Sequence, residues 1–266
     1  SSWTIPEDIT DAGHGDTGFR FSDINGDNLP DIVLGKDWSG TQVKKVYINN
    51  GSGWTLDTSW TLPVVFVNHV NQDQGARIAD VNGDGLPDIV LSHRPNTTKQ
   101  VYINSGTNWV YDSSWTVPMY FTNVYSKDVW TVLVDINGDG LNDILWSDQS
   151  SSSNAVYINT GTGWVQDTTW GAIPQYITVS GNKDAGTRFV DFNSDGLIDI
   201  LYSRYWGSGV YHKHAYVNTG KGWAEDTSVT IPAVFAGFSN EDWGYRTTDA
   251  YGWNLSDIIR AQQTGP

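Results

Sequence analysis

The chain has 266 residues with 30 acidic against 15 basic side chains, and its formal charge of −15 argues against nucleic-acid phosphates or an anionic membrane surface as partners. Aromatic residues make up 13% and charged residues only 17%, a balance foreign to disordered chains and coiled coils and suited to a Trp- and Tyr-rich β protein. Cysteine is absent, so neither disulfides nor thiolate metal sites hold the fold, and no apolar run approaches the length needed for membrane insertion.

In chain order, the sequence opens on SSWTIP, a fragment that returns as DTSWTLP, DSSWTVP, DTTWGAIP and DTSVTIP. From Phe21, FSDINGDNLPDIVLG starts a pattern that recurs as IADVNGDGLPDIVLS from Ile78, LVDINGDGLNDILWS from Leu133 and FVDFNSDGLIDILYS from Phe189. A degenerate copy, TTDAYGWNLSDIIRA, closes the series. The leading aspartates, Asp23, Asp80, Asp135, Asp191 and Asp249, stand 57, 55, 56 and 58 residues apart. Each of the first four copies is followed by KVYINNGSGW, QVYINSGTNW, AVYINTGTGW or HAYVNTGKGW. Apolar and β-branched runs bounded by Gly, Asn and Asp predict four strands per unit. The first lies around FRF or ARIA, the second at DIVL, the third at VYIN, and the fourth runs from the Gly-Trp through Ser-Trp-Thr-x-Pro. No segment keeps a 3.6-residue period.

Four strands repeated about every 56 residues predict an all-β fold, a β-propeller of four-stranded antiparallel blades. The expected domain is single, 1–266, with units at about 7–63, 64–118, 119–174, 175–232 and 233–266. Segment 1–6 is expected to supply the outer strand that closes the fifth blade.

The acidic loop sets the chemistry. In Asp80 to Asp88, oxygen-bearing side chains fall at the first, third, fifth and ninth positions, as Asp80, Asn82, Asp84 and Asp88, and Leu86 offers a carbonyl at the seventh. Calcium takes six to eight hard oxygens, and Gly85 permits the tight turn. Leu91 occupies the twelfth position where a helical calcium hand needs glutamate, which excludes that hand. An Asx-turn hairpin without an ion is the alternative. Three carboxylates crowded into each of four loops favour a cation that offsets their repulsion, so four calcium ions are expected.

These strand-flanked D-x-N-G-D-G-x-x-D loops resemble FG-GAP/VCBS repeats, found in integrin α-subunit propellers, some fungal lectins and bacterial surface and RHS-type toxin proteins. The resemblance implies calcium in hairpins on one face and partners on the opposite face. Carried over by position, the ligands are Asp23, Asn25, Asp27, Leu29 and Asp31, then Asp80, Asn82, Asp84, Leu86 and Asp88. The third set is Asp135, Asn137, Asp139, Leu141 and Asp143, and the fourth is Asp191, Asn193, Asp195, Leu197 and Asp199. The fifth loop departs, with Tyr251 and Trp253 at the third and fifth positions.

Outside the loops, Asp16, Asp73, Asp128, Asp184 and Asp242 each stand seven residues before a loop's first aspartate. They either ring a ligand site or have a structural role, each capping a turn or pairing with Arg20, Arg77, Arg188 or Arg246 four residues on, and the structural role is the simpler reading; unit three has Val132 instead. Trp54, Trp109, Trp164 and Trp223, with Trp3, Trp60, Trp115 and Trp170, keep repeat registers and are expected to pack between blades. Trp38 and Trp206 fall in the variable connections between second and third strands, where recognition is usually placed. Arg204, Tyr205 and Trp206 together form the strongest candidate anchor. His212 and His214 could line one strand face and bind a metal, although a solvated hairpin is the simpler reading.

No phosphate loop, nucleophile elbow or HExxH motif is present, so an enzyme is not expected. The expected function is an extracellular or cell-surface binding module that recognises a glycan or protein partner. The alternative is an architectural segment of a larger surface or toxin protein.

Overall fold

The computed structural model describes residues 4–7, 16–129, 131–149, 152–179 and 183–238 in full, and 245–248 and 257–260 as backbone strands. All regular structure among the described residues is β. The chain divides into two compact units, Ser1–Val129 with Asn159–Val165, and Trp130–Ile158 with Gln166–Pro266.

The first unit holds two sheets of like topology. One runs β1 (Phe19–Ser22), β2 (Asp31–Trp38), β3 (Thr41–Asn49), β4 (Trp54–Leu56), and the other β5 (Ala76–Ala79), β6 (Asp88–His93), β7 (Thr98–Asn104), β8 (Trp109–Asp112). All neighbours are antiparallel, with Phe21 opposite Ile32 and Ile32 opposite Tyr47. The apolar run of β2 is buried from Asp31 through Gly35, as expected of a strand covered on both faces. This meander puts the acidic loop and the β3–β4 turn at one end of the sheet. The β2–β3 hairpin and the connection to the next sheet lie at the other. The core gathers Ile24, Val33, Val46, Leu62, Phe66 and Ile89 around Trp109.

The third sheet runs β9 (Val132–Val134), β10 (Asp143–Asp148), β11 (Ser153–Asn159) and β12 (Trp164–Gln166) on the same plan. It gains two short strands, β13 (Thr178–Val179) and β14 (Lys183–Asp184), with β13 parallel to β10. The next sheet is β15 (Thr187–Val190), β16 (Asp199–Tyr205), β17 (Tyr211–Asn218), β18 (Trp223–Glu225). A last antiparallel pair, β19 (Tyr245–Thr248) and β20 (Asp257–Arg260), matches the first two strands expected of the fifth unit. The SSWTIP clasp at 1–6 and the fifth acidic loop lie largely outside the described residues.

Two contacts recur between residues of the same compact unit. The tryptophan of one Ser-Trp-Thr segment packs on the next Gly-Trp tryptophan, in the pairs Trp60–Trp109, Trp115–Trp164 and Trp170–Trp223, with ring centroids 4.9, 5.2 and 5.8 Å apart. The asparagine ending each third strand after the first donates Nδ2–H to a loop carbonyl about eighty residues earlier: Asn104 to Ile24 (2.9 Å), Asn159 to Val81 (2.8 Å) and Asn218 to Ile136 (2.7 Å).

The fourth strands are shorter than the sequence reading has them, ending before the Ser-Trp-Thr stretch. An aspartate stops each one. Asp57 Oδ1 accepts the Ser59 N–H (2.8 Å) and hydroxyl (2.6 Å), and Asp167 treats Thr169 alike at 2.7 Å each. These Asx turns bend the backbone out of the ladder.

Candidate functional site

The acidic loops are knitted from their own side chains. Asp23 Oδ1 accepts the amide of Gly26 (2.8 Å), and Oδ2 that of Asn28 (2.7 Å). Asp27 Oδ1 accepts the Leu29 amide (2.9 Å), while Asn25 Nδ2 donates to Asp27 Oδ2 (3.1 Å). The loops led by Asp80, Asp135 and Asp191 repeat the pattern. The ninth-position aspartates are different in kind, fully buried at Asp31, Asp88, Asp143 and Asp199. Asp88 Oδ2 accepts the Val81 amide (2.9 Å) and Oδ1 the Asn104 amide (2.7 Å), tying the loop to the third strand. Burial pushes Asp88 and Asp199 up to about 6, and the neighbouring Asp84 and Asp80, or Asp195 and Asp191, push in the same direction.

The donor set is all hard oxygen, as calcium takes, although Asp23 Oδ1 and Asp135 Oδ1 each already accept two backbone amides. The residues therefore fit calcium in type. Among the described residues, however, no three acidic or imidazole groups are gathered as a metal centre, because the loop carboxylates turn onto backbone amides.

At the opposite end of the sheets, the recurring aspartates belong to a local motif, Asp-x-Gly-x-Arg. Asp16 Oδ1 accepts the Gly18 amide (2.8 Å), and both its oxygens take the Arg20 guanidinium (2.9 and 2.8 Å). Asp73 does the same with Gly75 and Arg77, and Asp184 with Gly186 and Arg188. The glycine is required: Gly75 has φ +73°, and a Cβ there would sit 2.4 Å from the Ser92 carbonyl oxygen. Each arginine also lies over a buried phenylalanine of the following connection, Arg20 over Phe66, Arg77 over Phe121 and Arg188 over Phe235, at 5.0, 5.8 and 5.3 Å.

Unit three breaks the motif, with Val132 in place of the arginine packed against the cluster that holds Ile177. Its aspartate, Asp128, is instead taken by Arg77 at 2.9 Å. Burial opposes the Arg77 charge, but Asp128 and Asp73 together hold its pKa well above the ordinary value. Burial likewise would raise Asp16, and Arg20 overcomes it to hold that carboxyl below the usual range.

These groups line a cavity of about 490 Å³ inside the first unit, walled by Asp16, Arg20, Phe21, Asp73, Arg77 and Asp128 with Ile78 beside them. Phe21 is 49% exposed and packs edge-on to Phe19. Asp184, by contrast, is buried against Arg188, and Asp242 lies outside the described residues. A smaller cavity of about 320 Å³ includes His93 and Asn96. His93 is buried with Nε2 3.0 Å from Ser126 Oγ, and burial holds its pKa below the ordinary value. The aspartates and arginines were readable from their spacing. Phe21 shares its register with Ile78, Leu133 and Phe189 and so reads as a strand residue, His93 recurs in no register, and the glycine between Asp and Arg completes the motif.

The fourth-unit hairpin presents Trp206 at 49% exposure, and Trp38 on the β2–β3 hairpin is 55% exposed. Trp206 packs on His212 at 4.3 Å with Arg204 over its ring at 5.7 Å, and Tyr205 meets Tyr211 at 5.0 Å. Along β17, alternate side chains stack in a row: His212 to His214 at 6.4 Å, and His214 to Tyr216 at 6.1 Å. The His214 Nδ1–H donates to Glu225 Oε1 at 2.6 Å.

No curated protein sequence matches the chain. Among solved structures, an Agrocybe aegerita lectin that specifically recognises non-reducing terminal N-acetylglucosamine aligns with a TM-score of 0.57 at 17% identity, covering 91% of this chain and 59% of that one. The Photorhabdus luminescens Tc holotoxin pore aligns with a TM-score of 0.56 at 17% identity, covering 91% of this chain and 10% of that one. The chain thus spans less than two thirds of either. Residues 23–91 and 135–202, more than half of the sequence, match the FG-GAP-like repeat, and these segments run from acidic loop to acidic loop through the sheets described above: the chain belongs to the FG-GAP-like repeat family.

Proposed function

We propose that this chain is an extracellular carbohydrate-binding module in which calcium-stiffened FG-GAP-like repeats form a five-bladed propeller and the cavity at Asp16, Arg20, Phe21, Asp73, Arg77 and Asp128 holds a sugar. The cavity carries the proposal. Its rim alternates carboxylate and guanidinium, acceptor beside donor, which suits the hydroxyls of a pyranose. Phe21 and Ile78 offer an apolar surface to the ring's C–H face. The lectin of shared fold makes N-acetylglucosamine the first sugar to test, by analogy of fold alone. Four calcium ions in the loops led by Asp23, Asp80, Asp135 and Asp191 complete the reading, and Asp31, Asp88, Asp143 and Asp199 anchor those loops.

Glycan-array screening followed by calorimetry on the best sugar tests it. Phe21→Ala should weaken binding at least tenfold, because losing an aromatic anchor costs about 2 kcal/mol, and the exposed site should leave the fold intact. Undiminished affinity would move the site out of this cavity. The toxin match at nearly the same TM-score favours one second reading, an architectural segment of a larger assembly. A folded, calcium-loaded chain that binds no glycan on the array would decide for it.

A further inference from the structure

The row of rings on β17 has a chemistry that neither the acidic loops nor the cavity uses. We propose that His212 and His214 together hold one divalent late transition-metal ion, of the zinc and copper class, with Glu225 behind His214 as its orienting carboxylate. Strand alternation puts both imidazoles on the same face of β17, two residues apart. Glu225 accepts the Nδ1–H of His214 at 2.6 Å, and a neutral ring so engaged presents Nε2 as a lone pair. A carboxylate on the far nitrogen is the usual support of a metal-bound histidine, fixing tautomer and ring direction together.

The spacing also fits. With metal–nitrogen bonds of about 2.1 Å, two imidazoles on one ion have centroids roughly 5 to 6.5 Å apart, depending on the angle at the metal. The observed separation is 6.4 Å with the planes 25° apart, so the stacked rings must tilt together by about 1 Å to share a tetrahedral ion. Trp206 packs on His212 with ring centroids 4.3 Å apart. Both histidines are half-buried. Imidazole nitrogen selects borderline metals, whereas the carboxylate loops select hard ones, so the two classes of ion separate by donor type.

The test uses the full chain in millimolar calcium, which occupies hard-oxygen sites, with zinc chloride followed by calorimetry and copper(II) chloride by electron paramagnetic resonance. The expected result is one zinc ion per chain and a copper spectrum with coupling to two nitrogens. His212→Asn and His214→Asn should each weaken zinc binding at least tenfold, and Glu225→Gln should weaken it tenfold to a hundredfold while leaving the melting temperature unchanged. Zinc affinity that survives the double variant H212N/H214N, or a copper spectrum of oxygen ligands only, would overturn the proposal. So would single histidine variants that bind zinc as tightly as the original chain.

Discussion

Arg20 and Arg77 occupy the same repeat position but do different work. Arg20 holds Asp16 alone, in a pair whose side chains are 34% and 44% exposed, whereas Arg77 is 20% exposed and holds two carboxylates, Asp73 and Asp128. Replacing Arg77 with methionine keeps much of its stem but removes the cation that Asp73 and Asp128 share. Urea unfolding should show a loss of about 3 kcal/mol, as for a largely buried pair broken on one side. Arg20→Met should cost ~1 kcal/mol or less, since exposed pairs are worth little. Equal losses would mean that Asp128 does not depend on Arg77. The spacing of aspartate and arginine made the first pairing legible in the sequence. The second was hidden, because Asp128 reaches an arginine of the preceding unit only once the chain is folded. The exchange at Val132 and Ile177 shows the same logic, since the cation and its aromatic seat are replaced together.

Each acidic loop combines two kinds of aspartate that look alike in the sequence. The outer ones bind amides of their own loop, and the ninth stitches the loop to the third strand. This division makes a prediction about the element as a whole. In chelator-treated protein, Asp88→Ala should cost several kcal/mol, because the buried Val81 and Asn104 amides lose their acceptor and each unsatisfied group costs about 1–3 kcal/mol. Asp84→Ala, exposed and bonded within its loop, should cost little in chelator and considerably more in calcium. Thermal unfolding with and without calcium checks both, and equal responses would remove the distinction between anchor and ligand. The strand positions were legible from the apolar runs and the VYIN segments. The ends of the fourth strands were not, since Trp-Thr-x-Pro reads as β-prone and only the Asp57-type side-chain bonds show that the ladder has already stopped.

At the scale of the molecule, a formal charge of −15 works against compactness. Four divalent ions would offset more than half of it, so the proposed calcium should act on the whole fold and not only on its loops. Stripped protein should take up four calcium ions by calorimetry, with a melting temperature that climbs with the logarithm of calcium concentration. A stoichiometry near zero, or a melting temperature indifferent to chelator, would remove calcium from the reading. The repeat period made the sheets predictable, because each acidic loop begins a new meander at nearly constant spacing. The expected closure of the fifth unit by segment 1–6 falls largely outside the described residues.

The backward reach of Asn104, Asn159 and Asn218 has a consequence for how the chain comes to its fold during synthesis. Each donates to a loop carbonyl about eighty residues upstream, so a loop emerging from the ribosome waits until the third strand of the following repeat has followed it out. Maturation therefore trails elongation by more than one repeat, advancing as a wave from the amino terminus, and a nascent chain halted between repeats keeps its newest loop unlatched.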